Sequence, residues 1–361
     1  MQANRIDPGF WRGRRVFVTG HTGFMGGWLC LWLCRLGAHV TGYALTPPTR
    51  PNLFEATRLG ERMRSVVADI RELDRLTAAM ADGAPDIVMH LAAQPLVGTA
   101  YAEPVETFSV NVMGTVNVLQ AIRATPSVTT ALIVTTDKVY ENREWTWGYR
   151  ECDMLGGHEP YGVSKACAEL AVDAFRQSYF SGARTVGIAT IRAGNIIGGG
   201  DWAANRLIPD AVRAFSAGLP LAPRNPAATR PWQHVLDPLR GYLLLGQRLA
   251  ADAAGWSGPW NFGPAEDDAV PVATVADELA RLWGDGARWT GPTADPAADT
   301  FRESHFLALS SSQAQARLGW RPVWRLQRAL AETVGWYKAH LAQRDMDAFS
   351  LQQIAIAEGA N

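Results

Sequence analysis

The sequence predicts an α/β fold: a doubly wound parallel sheet followed by a smaller C-terminal α/β domain. Three observations carry this expectation. Short runs rich in β-branched residues alternate with helical stretches as far as Arg192. The first run, residues 14–19, meets a glycine turn that opens an apolar helix. After Arg192 the stretch AGNIIGGGDW (193–202) interrupts the alternation, and the chain that follows is richer in proline and tryptophan and less regular.

The turn is Gly20-His21-Thr22-Gly23-Phe24-Met25-Gly26, with its glycines at GxxGxxG spacing. Strand, glycine turn and helix in that order open a dinucleotide-binding βαβ unit. The glycines let the backbone approach a pyrophosphate, and the helix offers free N–H groups and the positive end of its dipole. Residues 39–45 read as the second strand. No acidic residue follows it to bind the ribose 2′-hydroxyl of NAD, and the segment 46–50 ends in Arg50, so NAD and NADP both stay open at this point. Residues 65–68 form a third strand that delivers Asp69, placed to accept from an adenine amine, to cap the next helix, or both. The apolar strand 87–90 runs into Leu91-Ala92-Ala93-Gln94, whose small residues leave room for a nicotinamide ribose. A long helix over 102–123 carries Asn111 in an apolar setting, where a buried amide needs partners.

The chemistry is concentrated between residues 135 and 165. A strand over 132–136 stops at Thr136, Asp137 and Lys138. Tyr161 and Lys165 stand four residues apart at the start of a helix reaching Ser181, so their side chains share one face. If the fold joins the strand end to that helix, one cleft holds two lysines, a phenol, a hydroxyl and a carboxylate. A strand over 185–192 follows, then helices near 205–217, 237–250, 272–283 and 326–342. The expected organisation is a dinucleotide-binding domain over 1–193, with the segment around 230–250 returning to its sheet, a smaller domain over 194–345, and a tail over 346–361 that frays.

The composition points away from several classes. The 361 residues are 47% hydrophobic with a formal net charge of -1, which argues against nucleic acid or an anionic membrane as the main partner. The N-terminus does not read as a signal peptide, and the most apolar stretch, 28–36, is interrupted by Arg35 and too short to span a bilayer, so a cytoplasmic location is expected. Cys30, Cys34, Cys152 and Cys167 show no disulfide spacing; Cys30 and Cys34, four apart on one helix face, lack the further ligands of a zinc set, so they are expected to be buried thiols and no metal is expected.

The TGxxGxxG turn, the Tyr161/Lys165 pair and the LAAQ segment resemble the extended short-chain dehydrogenase/reductases. Within them, GHTGFMGGWLCLWL, TTDKVYENREWTWGYRE, GGHEPYGVSKACAEL, RAGNIIGGGDW and RPWQHVLDPLRGYL resemble the CDP-glucose 4,6-dehydratases over about residues 10–340. The resemblance implies a Rossmann-type sheet with a nucleotide-sugar-binding domain, NAD as cofactor, a homodimer or homotetramer, and a place in dideoxyhexose and O-antigen synthesis. The implied reaction oxidises C4 of CDP-glucose, eliminates water across C5 and C6, and returns hydride to C6. Tyr161 would take the 4-hydroxyl proton, helped by Lys165 and Thr136, with the Lys165 ammonium favouring the phenolate. Lys138 would be the C5 base and Asp137 the acid, with Glu141 as a nearby candidate for either role. Gly20, Thr22, Gly23, Phe24, Met25, Gly26, Asp69, Ile70, Leu91, Ala92 and Ala93, with Tyr161 and Lys165, would hold NAD; Asn195, Arg206, Arg230, Trp232 and His234 would hold the substrate. Three competing readings are a nucleotide-sugar 4-epimerase, a dehydratase of a dTDP- or GDP-linked sugar, and a non-catalytic dinucleotide-binding relative. An epimerase has no need of the Asp137-Lys138 pair.

Overall fold

Seven parallel strands make the central sheet of the computed structural model, which describes residues 5–182, 184–291 and 304–359. They are β1 (Arg15–Thr19), β2 (His39–Ala44), β3 (Arg64–Val67), β4 (Ile87–His90), β5 (Thr130–Val134), β6 (Gly187–Arg192) and β7 (Gly258–Asn261). Their order across the sheet is β7-β6-β5-β4-β1-β2-β3. The direction of winding reverses between β1 and β4, and in such sheets the crevice beyond the strands' carboxyl ends at that point is where ligands sit. Every residue of β4 and β6 is buried, as expected of parallel strands covered on both faces.

The principal helices are α1 (Phe24–Arg35), α2 (Leu73–Gly83), α3 (Gly114–Ala124), α4 (Pro160–Tyr179), α5 (Leu207–Ser216), α6 (Leu236–Ala251), α7 (Val272–Trp283), α8 (Leu326–Leu341) and α9 (Met346–Gly359). One sheet face carries α2, α3 and α4, with Phe17, Val88, Ala131 and Ile133 in its core. The other carries α1 and α6; Val18, Leu132 and Ile191 pack there with Trp28, Leu239 and Leu243. The all-round apolar sequence of α1 follows from burial on both sides. Trp28 donates to Gly199 O at 2.9 Å and Trp32 to Glu358 Oε1 at 2.8 Å, so α1 lies sandwiched between the sheet and the C-terminal part of the chain.

Two expectations need correction. The single helix over 102–123 is broken: Val97–Ala102 ends at Glu103, Pro104 starts a new turn, and a π-helical turn Ser109–Met113 precedes α3. Proline is accommodated where a helix begins but not within one, and the π-turn carries Asn111 inward. The frayed tail is instead α9, whose Met346, Ser350, Gln353, Ile354 and Ala357 are buried and whose Glu358 pairs with Arg35. The sheet also gains an edge strand, β7, from Gly-Pro-Trp-Asn, a sequence with little strand character of its own.

Outside the sheet, two small pairings shape the ground beyond Arg192. Ile196–Ile197 runs parallel to Gln233–His234, and Thr229–Pro231 runs antiparallel to Ala269–Pro271. They bring Asn195 and Arg230 toward the carboxyl ends of β5 and β6.

Candidate active site

At the end of β1 the chain turns through Gly20 at φ +79. A Cβ on Gly20 would lie 2.7 Å from Ala92 N, and one on Gly26 would lie 2.1 Å from Gly20 O. Both are contacts with backbone, so no side chain can be admitted by a rotamer change. Gly23 precedes α1 with no side-chain cap, which leaves the helix's first N–H groups without a side-chain partner. The floor beside this turn is tied down: Thr19 Oγ1 is 2.6 Å from His90 Nδ1 and accepts from Leu91 N and Ala92 N at 3.1 and 3.2 Å. Asn111 accepts from Gln94 N at 2.8 Å and donates to Gln94 O and Ser164 Oγ at 3.1 and 2.9 Å. One buried amide thus fixes the Leu91–Gln94 segment against α4.

A cleft of about 390 Å³ opens above the ends of β1, β4, β5 and β6. It is walled by Phe24, Met25, Leu91 and Ala93 on one side and by Thr136, Asp137, Lys138, Tyr161 and Lys165 on the other. Gly194, Asn195, Arg206, Arg224, Arg230 and Trp232 complete it. All five residues expected to be catalytic face one space. Thr136 caps the short 3-10 turn Asp137–Val139, accepting from Lys138 N at 3.3 Å and donating to Asp137 Oδ1 at 3.0 Å. Glu159 caps α4 by accepting from Tyr161 N and Gly162 N at 2.7 and 2.6 Å, which fixes the first turn that carries the phenol. Lys165 Nζ donates to Val134 O at 3.1 Å.

The structure moves other residues away. His234 is fully buried between Trp28 and Trp324, with ring centroids 6.5 and 4.5 Å away, and its Nδ1 accepts from Leu236 N at 3.3 Å. It is a core residue absent from the cleft wall. Glu141 accepts from Arg143 Nη2 at 2.9 Å and is absent from the cleft wall. Thr22 spends its hydroxyl on Leu45 O at 2.8 Å. Asp69 neither caps α2 nor stands open: it accepts from Arg71 N at 2.8 Å and pairs with the Arg71 guanidinium at 2.6 Å, while Ile70 packs under Gly114. Arg206 pairs with Asp201 at 3.0 Å while still facing the cleft.

Two participants escaped the sequence reading. A Cβ on Gly194 would fall 1.7 Å from Asp137 Oδ2, so the carboxyl occupies the space that a side chain there would fill. Arg224 adds a third guanidinium to the wall, held by a bond to Asn205 O at 3.0 Å. Only the Ala-Gly-Asn triplet hinted at the first, and nothing in the loop Leu-Ala-Pro-Arg-Asn marked the second.

A family model described as GDP-mannose 4,6 dehydratase matches residues 17–333. The chain belongs to this family. Within the GDP-mannose 4,6 dehydratase family, the chain is 48% identical over 354 residues to a CDP-glucose 4,6-dehydratase of Salmonella typhimurium, covering 97% of this chain and 98% of that protein. A dTDP-glucose 4,6-dehydratase of Xanthomonas campestris pv. campestris is 27% identical, over 89% of this chain and 92% of its own. Among solved structures, a dTDP-glucose 4,6-dehydratase from Streptomyces venezuelae with NAD and TYD bound superposes with a TM-score of 0.73 at 25% identity, covering 91% of this chain and 98% of that one. A UDP-glucose-4-epimerase from Stenotrophomonas maltophila shares the fold, with a TM-score of 0.78 at 23% identity over 91% and 99% of the two chains.

In this member of the GDP-mannose 4,6 dehydratase family, burial dominates the electrostatics. Desolvation pushes Asp137 above the usual carboxylate range, outweighing Lys138, Thr136 and Arg230, and its Oδ2 has no partner among the described residues. Desolvation also pushes the Tyr161 phenol up to about 12, against the hydrogen bond from Thr136. Lys165 is turned to Val134 O, and burial draws it down to about 8, opposed by Glu169. The chain holds three lysines against thirty-one arginines, and two of the three line this cleft. A lysine can change protonation when buried whereas an arginine cannot, so lysine is retained where proton traffic would run.

Proposed function

We propose that the protein is an NAD-dependent CDP-glucose 4,6-dehydratase, converting CDP-glucose to CDP-4-keto-6-deoxyglucose. The observation that carries this reading is the buried, protonation-prone Asp137 beside Lys138 in the cleft of Tyr161 and Lys165. A 4-epimerase requires the phenol and the lysine alone. The 48% identity to the Salmonella enzyme supports the choice of CDP-glucose over dTDP- or GDP-linked sugars.

The cradle at the end of β1 suits a dinucleotide. Gly20 and Gly26 clear the backbone for a pyrophosphate, the start of α1 offers N–H groups to it, and Leu91 and Ala93 leave space along the cleft wall. When bound, NAD supplies the acceptor and later the donor of hydride. The chain's own groups move the protons. Tyr161 takes the proton of the sugar 4-hydroxyl as the phenolate, its own proton having first passed to solvent, with Thr136 orienting it; the ketone so formed acidifies the C5 hydrogen. Lys138, acting as the neutral amine, removes that hydrogen and Asp137, kept neutral by burial, gives its proton to the departing 6-hydroxyl. Arg206, Arg230 and Asn195 hold the diphosphate and Trp232 closes the wall, with Arg224 as an added cation.

No described helix is long and apolar enough to cross a membrane. The reading extends to a cytoplasmic homodimer or homotetramer that supplies dideoxyhexose and O-antigen synthesis, with residues 194–345, apart from the segment around 230–261 that covers and extends the sheet, serving as the nucleotide-sugar domain. The test is incubation of the protein and NAD with CDP-, dTDP-, UDP- and GDP-linked hexoses, followed by mass and NMR. Loss of water from CDP-glucose alone is expected. Inversion at C4 with no change of mass would make the protein an epimerase.

A further inference from the structure

Below the cleft lies a charged group that the reaction does not consume. Glu169, one turn beyond Lys165 on α4, is 5% exposed and pairs with Arg192, which is 3% exposed. Its Oε1 accepts from Thr135 Oγ1 at 2.6 Å and Arg192 Nε at 2.9 Å; its Oε2 accepts from Thr190 Oγ1 at 2.6 Å and Arg192 Nη2 at 3.0 Å. Four donors converge on one carboxylate, which as an acceptor-only group satisfies all of them. We propose that Glu169 is a positioning residue that locks the Tyr161/Lys165 helix to the ends of the two strands carrying the rest of the site.

The connectivity supports this. Thr135 immediately precedes Thr136, Asp137 and Lys138, while Arg192 immediately precedes the Ala193-Gly194-Asn195 turn. Glu169 is therefore joined to the last residue before the acid/base triplet and the last before the turn that seats Asp137. Arg192 is braced in turn, donating to Tyr140 OH at 2.9 Å and Glu151 O at 3.1 Å, and Tyr140 OH donates to Asn261 Oδ1 at 2.7 Å on β7. A 1 Å displacement among reacting groups can cost about a hundredfold in rate, and α4 and the ends of β5 and β6 meet at this carboxylate.

Charge matters as well as geometry. Lys165 faces Glu169 and Tyr161 on its own helix and His90 at the end of β4; burial holds His90 neutral, down to about 3. Glu169 is thus the anion that opposes the desolvation of Lys165. Beyond Glu169 stand Arg192, Tyr140 and Glu151, whose carboxyl burial raises.

The inference rests on Tyr161 and Lys165 as the reacting pair, and its test reads the lysine directly. With only three lysines in the chain, 13C-lysine labelling gives three side-chain signals, assigned with Lys338→Arg and Lys138→Arg. Glu169→Gln is expected to move the Lys165 titration to lower pH and to lower kcat on CDP-glucose by about a hundredfold while KM changes little. Because Glu169→Gln alone can misfold, the double substitution Glu169→Leu with Arg192→Met is measured too; replacing a buried ion pair by apolar residues commonly preserves stability. The double variant is expected to melt near the wild-type temperature yet lose activity and show the same lysine shift. Wild-type kcat and an unmoved Lys165 titration in that folded variant would overturn the proposal. A wild-type protein inert toward CDP-glucose would instead remove the proposed activity, with the lysine titrations still deciding the role of Glu169.

Discussion

The cofactor end of the cleft and its acid/base end are built from different materials. Around Gly20 and Gly26 the site is made by leaving atoms out, and its contacts are backbone to backbone. Around Asp137 and Tyr161 it is made by side chains whose protonation is set by how little water reaches them. A site of the first kind fails by collision and loses binding. One of the second kind fails by a change in proton affinity and loses turnover with binding intact.

That contrast can be broken at several points. Tyr161→Phe is expected to lower kcat by about 10³-fold while leaving the affinity for NAD, measured by calorimetry, unchanged; a large loss of NAD affinity would show the phenol to be part of the cradle instead. Gly194→Ala is expected to displace Asp137 and slow elimination by about a hundredfold, with reduced nicotinamide accumulating in a stopped-flow trace. Normal turnover in that variant would take Asp137 out of the acid role.

Arg230→Ala is expected to raise KM for CDP-glucose by the value of a charged hydrogen bond, about 1.5–3 kcal/mol, because it faces the cleft rather than the reacting carbons; an unchanged KM would put the diphosphate elsewhere. Gly26→Ala is expected to weaken NAD binding and destabilise the fold by about 1–3 kcal/mol, read by calorimetry and by denaturant unfolding. The smallest effect on catalysis is expected at His234. Its folded-state pKa is drawn down to about 3 from an ordinary 6.5. The unfolded chain therefore takes up the proton first, and stability falls as pH drops from about 6.5 toward 3. His234→Phe should remove that share of the acid sensitivity, about 2 kcal/mol between pH 7 and pH 5, and leave the pH dependence of kcat alone. A moved kcat profile would return His234 to the site.

The same contrast explains what could be read in advance. Strands β1, β4, β5 and β6 and the glycine turn are local: their patterns lie in consecutive residues, and the structure keeps them within a residue or two. The Tyr161/Lys165 spacing and the Thr136–Lys138 triplet were legible for the same reason. What stayed hidden depends on distant partners. The seat of Asp137 is a missing Cβ at Gly194, fifty-seven positions away in the chain. Glu169 looks like an ordinary helix glutamate until Thr190 and Arg192 are folded against it. His234 was implied as a ligand by the RPWQHV motif, yet although Arg230 and Trp232 line the cleft, the chain beyond Trp232 carries its ring into the core between Trp28 and Trp324. The break at Pro104 was visible as a proline, but the π-turn follows from Asn111 reaching Gln94 and Ser164.

The edge strand β7 and the covering helix α6 carry a consequence for how the chain comes to be assembled. Six strands are present by residue 192, yet α6, which packs on β5 and β6, ends at residue 251 and β7 at residue 261. Even Trp11, near the start, finds its indole partner at Gln247. A nascent chain emerging from the ribosome thus lacks the cover of α6 over β5 and β6 until some sixty residues beyond β6 have followed. Closing that gap is a long-range step of the kind that slows folding and invites aggregation. A fragment ending at residue 193 would carry the glycine turn and the Tyr161/Lys165 pair but lack α6, which covers β5 and β6 beside α1, so the nucleotide cradle draws part of its support from a stretch of chain that lies well beyond it in sequence.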